Sequence, residues 1–183
     1  MKKNLTREWE GLLFDVRRSV RYHNRRRAWF DRLDQATNVL SLIFGSTAIY
    51  GVLSQSNKNL AMLSAAVVTI FSAINLVVGS SQRARAHFDF ARKFFELEQK
   101  MILVPEITEE SLRTITSERL SIEKDEPPIL RVLDSICYNE QILSMDYPTD
   151  QMIVVGFWQR LFSPVLDFQA SKLRRRVKDT SHV

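Results

Sequence analysis

The chain has little of what staples or hinges a protein, and little of what performs chemistry. One cysteine, Cys137, among 183 residues excludes an intrachain disulfide and a Cys-rich zinc site. Five glycines leave no Gly-rich phosphate loop. The three histidines, His23, His87 and His182, are far apart and lack metal-ligand spacing. His87 and Asp89 point to different faces of one helix, and His87 is expected near lipid headgroups. No catalytic constellation stands out, so an enzyme is not expected, nor is a cofactor or a metal. The start, MKKNLTREWE, has no apolar core behind its lysines, so no cleaved signal peptide is expected. The most informative deficit is of charge. No Asp, Glu, Lys or Arg lies between Gln35 and Asn57, and none between Asn59 and Gln82.

Elsewhere charge is dense and uneven. Residues 1–34 carry ten Lys/Arg and five Asp/Glu, and residues 105–150 carry four and eleven. A basic arm, an acidic middle and a basic tail do not make one basic surface. The net charge of +5 is therefore no argument for nucleic-acid binding.

The expected fold is all-α: an integral membrane hairpin of two transmembrane helices, preceded by an amphipathic helix and followed by cytoplasmic helices. Residues 1–35 form the basic arm. Trp9, Leu12, Leu13, Val16, Val20 and then His23 or Asn24 recur at helical spacing, with Thr6 as the expected cap. The hairpin occupies 36–80, with spans 36–53 and 60–79, each close to the ~20 residues that cross a hydrocarbon core. The short link Ser54–Asn59 makes the spans antiparallel neighbours. A soluble bundle is disfavoured, because a helix with one wet face shows charge every turn or so.

Residues 81–183 are read as cytoplasmic. A helix with the stripe Phe90, Phe94, Leu97 and Met101 ends at Pro105. A second opens at Thr108-Glu109-Glu110-Ser111 and runs to about Lys124. Pro127-Pro128 breaks it, and a third runs Ile129–Leu143 with Cys137 on its apolar face. Beyond Pro148, Ile153 to Phe157 reads as a short strand or a helix start. The stretch 153–176 suits either an interfacial helix, helped by Lys172, Arg174, Arg175, Arg176 and Lys178, or packing of Phe157, Leu161, Val165 and Phe168 on the other helices.

Lys and Arg crowd both flanks of the hairpin, while the link holds only Lys58. The positive-inside rule then places both termini in the cytoplasm. Arg25, Arg26, Arg27, Trp29, Arg83 and Arg85 are the expected membrane-interface residues. Their place beside a span favours anionic lipid over nucleic acid. Within the spans, Ala61, Ala65, Thr69 and Ala73 fall four apart, and Ser41, Gly45 and Ala48, like Thr47 and Gly51, place small residues on one face. Small faces let helices approach closely in lipid. The embedded polar groups either line a path in a homo-oligomer or bond their own helices. Asn75 is the strongest lining candidate, because a carboxamide cannot satisfy all its bonds on its own helix.

The order of parts resembles the SLATT superfamily of bacterial two-transmembrane effectors. The resemblance rests on the arm RSVRYHNRRRAWFDRLDQ, the tight hairpin, the continuation SSQRARAHFDFARKFFELEQKM, and the stretch RLSIEKDEPPILRVLDSICYNEQ with Glu123, Pro127-Pro128 and Asn139-Glu140. It implies a pore-forming effector of the bacterial inner membrane in an anti-phage or conflict system. It also implies a separate sensor partner, a nucleotide synthase or a reverse transcriptase, that supplies the trigger. The alternative is a membrane anchor or scaffold that opens no pore.

Overall fold

A computed structural model describes residues 2–54 and 58–175, with side chains from Asn4 onward. Link residues 55–57 and the tail, with Arg176, Lys178 and His182, lie outside the described residues. The chain is all-α and 80% helical. Its helices are α1 (Lys2–Leu53), α2 (Lys58–Val78), α3 (Ser80–Leu103), α4 (Glu109–Glu123), α5 (Arg131–Ser144) and α6 (Phe157–Phe162). The arm and first span are one uninterrupted helix of 52 residues. No proline precedes Pro105, so nothing removes an N–H from the ladder or clashes with the preceding turn. Thr6 lies inside α1, which already runs at Lys2, and is not its cap.

The chain divides into two compact units, one of residues 1–25 with 88–183, the other Arg26–His87. In the first, the apolar stripe of the arm is a packing face. Trp9, Leu12 and Val16 join Phe94, Leu97 and Met101 of α3 and Ile115 of α4 in one core. Thr108 caps α4: its Oγ1 accepts from Ser111 N at 3.1 Å, and Ser111 Oγ accepts from Thr108 N at 2.9 Å. These bonds satisfy N–H groups that the first helical turn leaves open. At α5, Leu130 offers no side-chain cap, and Asp167 Oδ1 accepts from Val132 N at 3.0 Å in its place. Cys137 is fully buried against Tyr22 and Leu133.

Beyond α5 a two-residue strand, β1 (Ile153–Val154), pairs antiparallel with β2 (Arg174–Arg175), in the register Ile153 to Arg175 and Val154 to Arg174. Asn139 holds β1, donating to Ile153 O at 2.7 Å and accepting from Ile153 N at 2.8 Å. Ile153 therefore opens a strand, and the helix begins only at Phe157.

In the second unit α1 and α2 form a hairpin of two apolar helices. They approach closely beside the link: a Cβ placed on Gly51 would lie 2.8 Å from Ala61 Cβ. Ala61 and Ser64 are buried at this contact. Gly79 ends α2 with φ +61°, a left-handed conformation that other residues adopt only under strain, and α3 starts at the next residue. Both hairpin helices are long and apolar enough to cross a membrane. Only 11% of the most apolar stretch of each is buried within the chain. The core helix of a soluble bundle would be mostly buried, so these faces need a cover that the single chain does not supply.

Candidate functional site

The hairpin carries a polar groove of about 320 Å³ at the end away from the link. Its wall follows from helical spacing. Asp34, Asn38 and Ser41 lie one turn apart on α1, Ser72 and Asn75 share a face of α2, and Ser80 and Gln82 follow the Gly79 break. Asp34 is its hub. Asn38 Nδ2 donates to Asp34 Oδ2 at 3.3 Å, and Asn75 Nδ2 donates to Asp34 Oδ1 at 3.2 Å. Asp34 makes no ion pair among the described residues. Asn75 Oδ1 and Ser80 Oγ are buried and make no hydrogen bond within the described chain.

Of the residues singled out for the hairpin, the fold brings Ser41 and Asn75 together in this groove. The hydroxyls of Thr47 and Thr69 donate to their own helix, to Ile43 O and Ala65 O, each at 2.9 Å. Ser46 does the same to Leu42 O at 2.7 Å. These three are satisfied locally. The packed face of α2 near the link runs through Ala61 and Ser64, so Ala65, Thr69 and Ala73 face outward in the single chain. Nothing approaches a Cβ placed on Gly45 within 4 Å. Asp34 and Ser80 had escaped the sequence reading. The signal was present, since Asp34, Asn38 and Ser41 repeat at helical spacing just before and within the first span.

Next to the groove the basic and aromatic residues form a stack. Phe30 is buried, with Arg26 Cζ 4.6 Å and Arg83 Cζ 5.9 Å from its ring centroid. Both arrangements are cation–π in geometry. His87 is buried within the chain and stacks on Phe30 at 5.7 Å between centroids. Trp29 meets Phe30 edge-on at 4.9 Å. Arg27 pairs with Asp31 at 3.4 Å, and Arg85 is exposed.

In the other unit the arm's cations meet acids of later helices. Arg17 Nε donates to Glu98 Oε1 at 2.7 Å, Arg25 pairs with Glu140, and Arg18 Nε lies 3.4 Å from Asp134 Oδ1. Burial works against the charge of Arg119, but hydrogen bonds and charge from Glu123 and Asp15 outweigh it and hold its pKa above the usual value. Burial also raises the Asp134 carboxyl, although the positive charge of Arg18 opposes the shift. Burial pushes the Cys137 thiol up to about 12, which suits a packing role and not a nucleophile. The deepest polar contact joins His23 Nε2 and Glu126 Oε1 at 2.6 Å, with both side chains buried. Phe90 and Phe94 stack on the His23 ring, and the Tyr22 hydroxyl accepts from Leu130 N at 3.0 Å. Glu123, Glu126, Asn139 and Glu140, around Pro127-Pro128, thus brace this unit internally.

The α6 segment faces inward with its polar side. Gln159 and Ser163 are buried, while Phe157 is 73% and Trp158 60% exposed, and Leu161, Val165 and Leu166 are exposed as well. Phe157, Leu161 and Val165 therefore do not pack on the other helices of the unit. Only Phe168, half-buried, is partly drawn in.

These features define a helical protein with a hairpin of two long apolar helices and a separately packed helical unit. No family model, curated protein or solved structure matches the chain.

Proposed function

We propose that the chain is a membrane-embedded effector of the SLATT type. Its hairpins cross the bacterial inner membrane with both termini in the cytoplasm, assemble into a homo-oligomer, and open a pore when a separate sensor protein signals infection. One observation carries the pore reading: the hairpin joins a groove of one carboxylate, carboxamides and hydroxyls to otherwise apolar, uncovered faces. Hairpins arranged around an axis with these grooves inward would line a hydrated path, with lipid covering the apolar sides. The outward Gly45, Ala65 and Ala73 supply small-residue contacts between copies. The test is release of dye or ions from vesicles holding the purified oligomer, with and without its trigger. Release that falls when Asn75→Leu and Ser41→Leu are introduced supports the pore. An oligomer that never leaks under any trigger overturns it.

A second reading, an anchor for a partner protein, has its own support in the outward aromatic face of α6. In that case Asn75→Leu leaves function intact, while Phe157→Ser with Trp158→Ser abolishes it.

A further inference from the structure

We infer that the groove at Asp34 is a binding site for an alkali-metal cation, held by the Asp34 carboxylate with Asn75 Oδ1 and Ser80 Oγ. Asp34 is the one charged residue lining the groove, and its bonds come from the neutral amides of Asn38 and Asn75 at 3.3 and 3.2 Å. Each carboxylate oxygen keeps a lone pair beyond those bonds. A half-buried carboxylate is costly unless a counter-charge offsets it. Arg26 and Arg83 lie over Phe30, and neither lines the groove.

Ser80 is 1% exposed, and both its Oγ and Asn75 Oδ1 lack a hydrogen bond. Buried polar atoms are nearly always satisfied, so two in one groove call for a shared partner. A cation satisfies a carboxylate, a carbonyl oxygen and a hydroxyl oxygen at once.

The donor set selects the class. All of the named donors are hard oxygens, and no His or Cys lines the groove, which disfavours transition metals. One carboxylate among neutral oxygens matches a single positive charge. Calcium sites gather several carboxylates, and magnesium keeps most of its water. An anion would meet the Asp34 charge directly.

The site stands on the groove and does not require the proposed pore to open, so its test uses no leakage. The full chain is placed in nanodiscs of zwitterionic lipid, and thermal unfolding is followed by circular dichroism at constant ionic strength while choline chloride is replaced by NaCl or KCl. The expected result is a saturable rise of the midpoint with Na⁺ or K⁺ that choline does not give. Asp34→Asn should weaken the apparent affinity about tenfold or more through the lost charge. Ser80→Ala and Asn75→Ala, which keep that charge, should weaken it less. The ²³Na line width of the wild-type protein gives a readout independent of variant folding: broadening that added K⁺ reverses supports the site. Identical unfolding in choline, Na⁺ and K⁺ with an unbroadened ²³Na signal overturns it and leaves a groove holding water. Undiminished cation stabilisation in Asp34→Asn overturns it equally.

Discussion

In the unit formed by residues 1–25 and 88–183, Val16, Phe94, Val132 and Ile142 are sealed from solvent, whereas in Arg26–His87 Leu76 and Val77 are 85% and 84% exposed. The two units also treat charge differently. In the first, a buried histidine meets a buried glutamate, and arginines of α1 meet acids about eighty to a hundred and twenty positions later. In the second, Arg27 pairs with Asp31 only four positions on, and Asp34, the one carboxylate of the groove, is bonded to carboxamides. The first unit satisfies itself by tertiary contact. The second leaves its apolar faces uncovered within the chain, and water disfavours such surface by about 25 cal/mol per Å².

The largest effect is expected at His23, which the helical unit buries against Glu126. Replacing it with Ala leaves Glu126 buried without its partner, and losses of that kind cost about 3–5 kcal/mol. Denaturant unfolding followed by tryptophan fluorescence should show that loss in the helical unit, where Trp9 reports, with Glu126→Ala giving a similar value. If both variants lose less than about 1 kcal/mol, this unit is not held by its buried polar contact.

The next effect is smaller and concerns the hairpin. Gly51→Val drives a side chain into Ala61, whose Cβ would already lie 2.8 Å from the new Cβ. Overpacking of this kind costs about 1–3 kcal/mol, read as a lower unfolding midpoint in micelles. Gly45→Val meets nothing within 4 Å, so it should leave the monomer's midpoint unchanged. A loss of cross-linked oligomer in Gly45→Val would place an interface there; an unchanged cross-linking pattern would place it elsewhere.

Cys137 provides a probe of the sealed unit. Burial pushes its thiol up to about 12, so almost no thiolate exists at pH 8 in the folded chain. Maleimide should label it only as the unit unfolds, with the mass shift tracking the fluorescence transition. Rapid labelling of the native protein would show that α5 is less tightly packed than its contacts imply.

The smallest effect belongs to Asp134, whose carboxyl burial raises above the usual range. The fold disfavours its charged form. Its contribution to stability is therefore fully present below the unfolded pKa and is lost as pH rises through the higher folded pKa. Asp134→Asn should remove that slope and change stability at neutral pH by less than about 1 kcal/mol, since Arg18 retains Asp15 at 3.4 Å. A pH profile identical to wild type would show that Asp134 titrates outside the proposed environment.

Much of the architecture could be read from spacing alone. The Thr108 start, the Pro105 stop and the Pro127-Pro128 break all depend on a few adjacent residues, and the structure places them where local chemistry puts them. The arm was harder. Its stripe Trp9, Leu12, Val16 is amphipathic whether it meets lipid or protein, and only the arrival of Phe94, Leu97 and Ile115 makes it a core. The groove was half legible. Ser41 and Asn75 stood out as polar residues within apolar runs, but Asp34 reads as one more charge of the arm until Asn75, forty-one positions later, donates to it.

The hairpin follows from the residues alone, because two charge-free runs and a short polar link act locally. Each residue's preference for an apolar solvent adds to its neighbours' without reference to distant partners. Which apolar faces are covered within the chain, which arginines find acids, and the meeting of Asp34, Asn75 and Ser80 in one groove come from folding alone. Those outcomes depend on contacts between residues tens to a hundred positions apart, and helical periodicity sets the face of a side chain without naming what that face will meet.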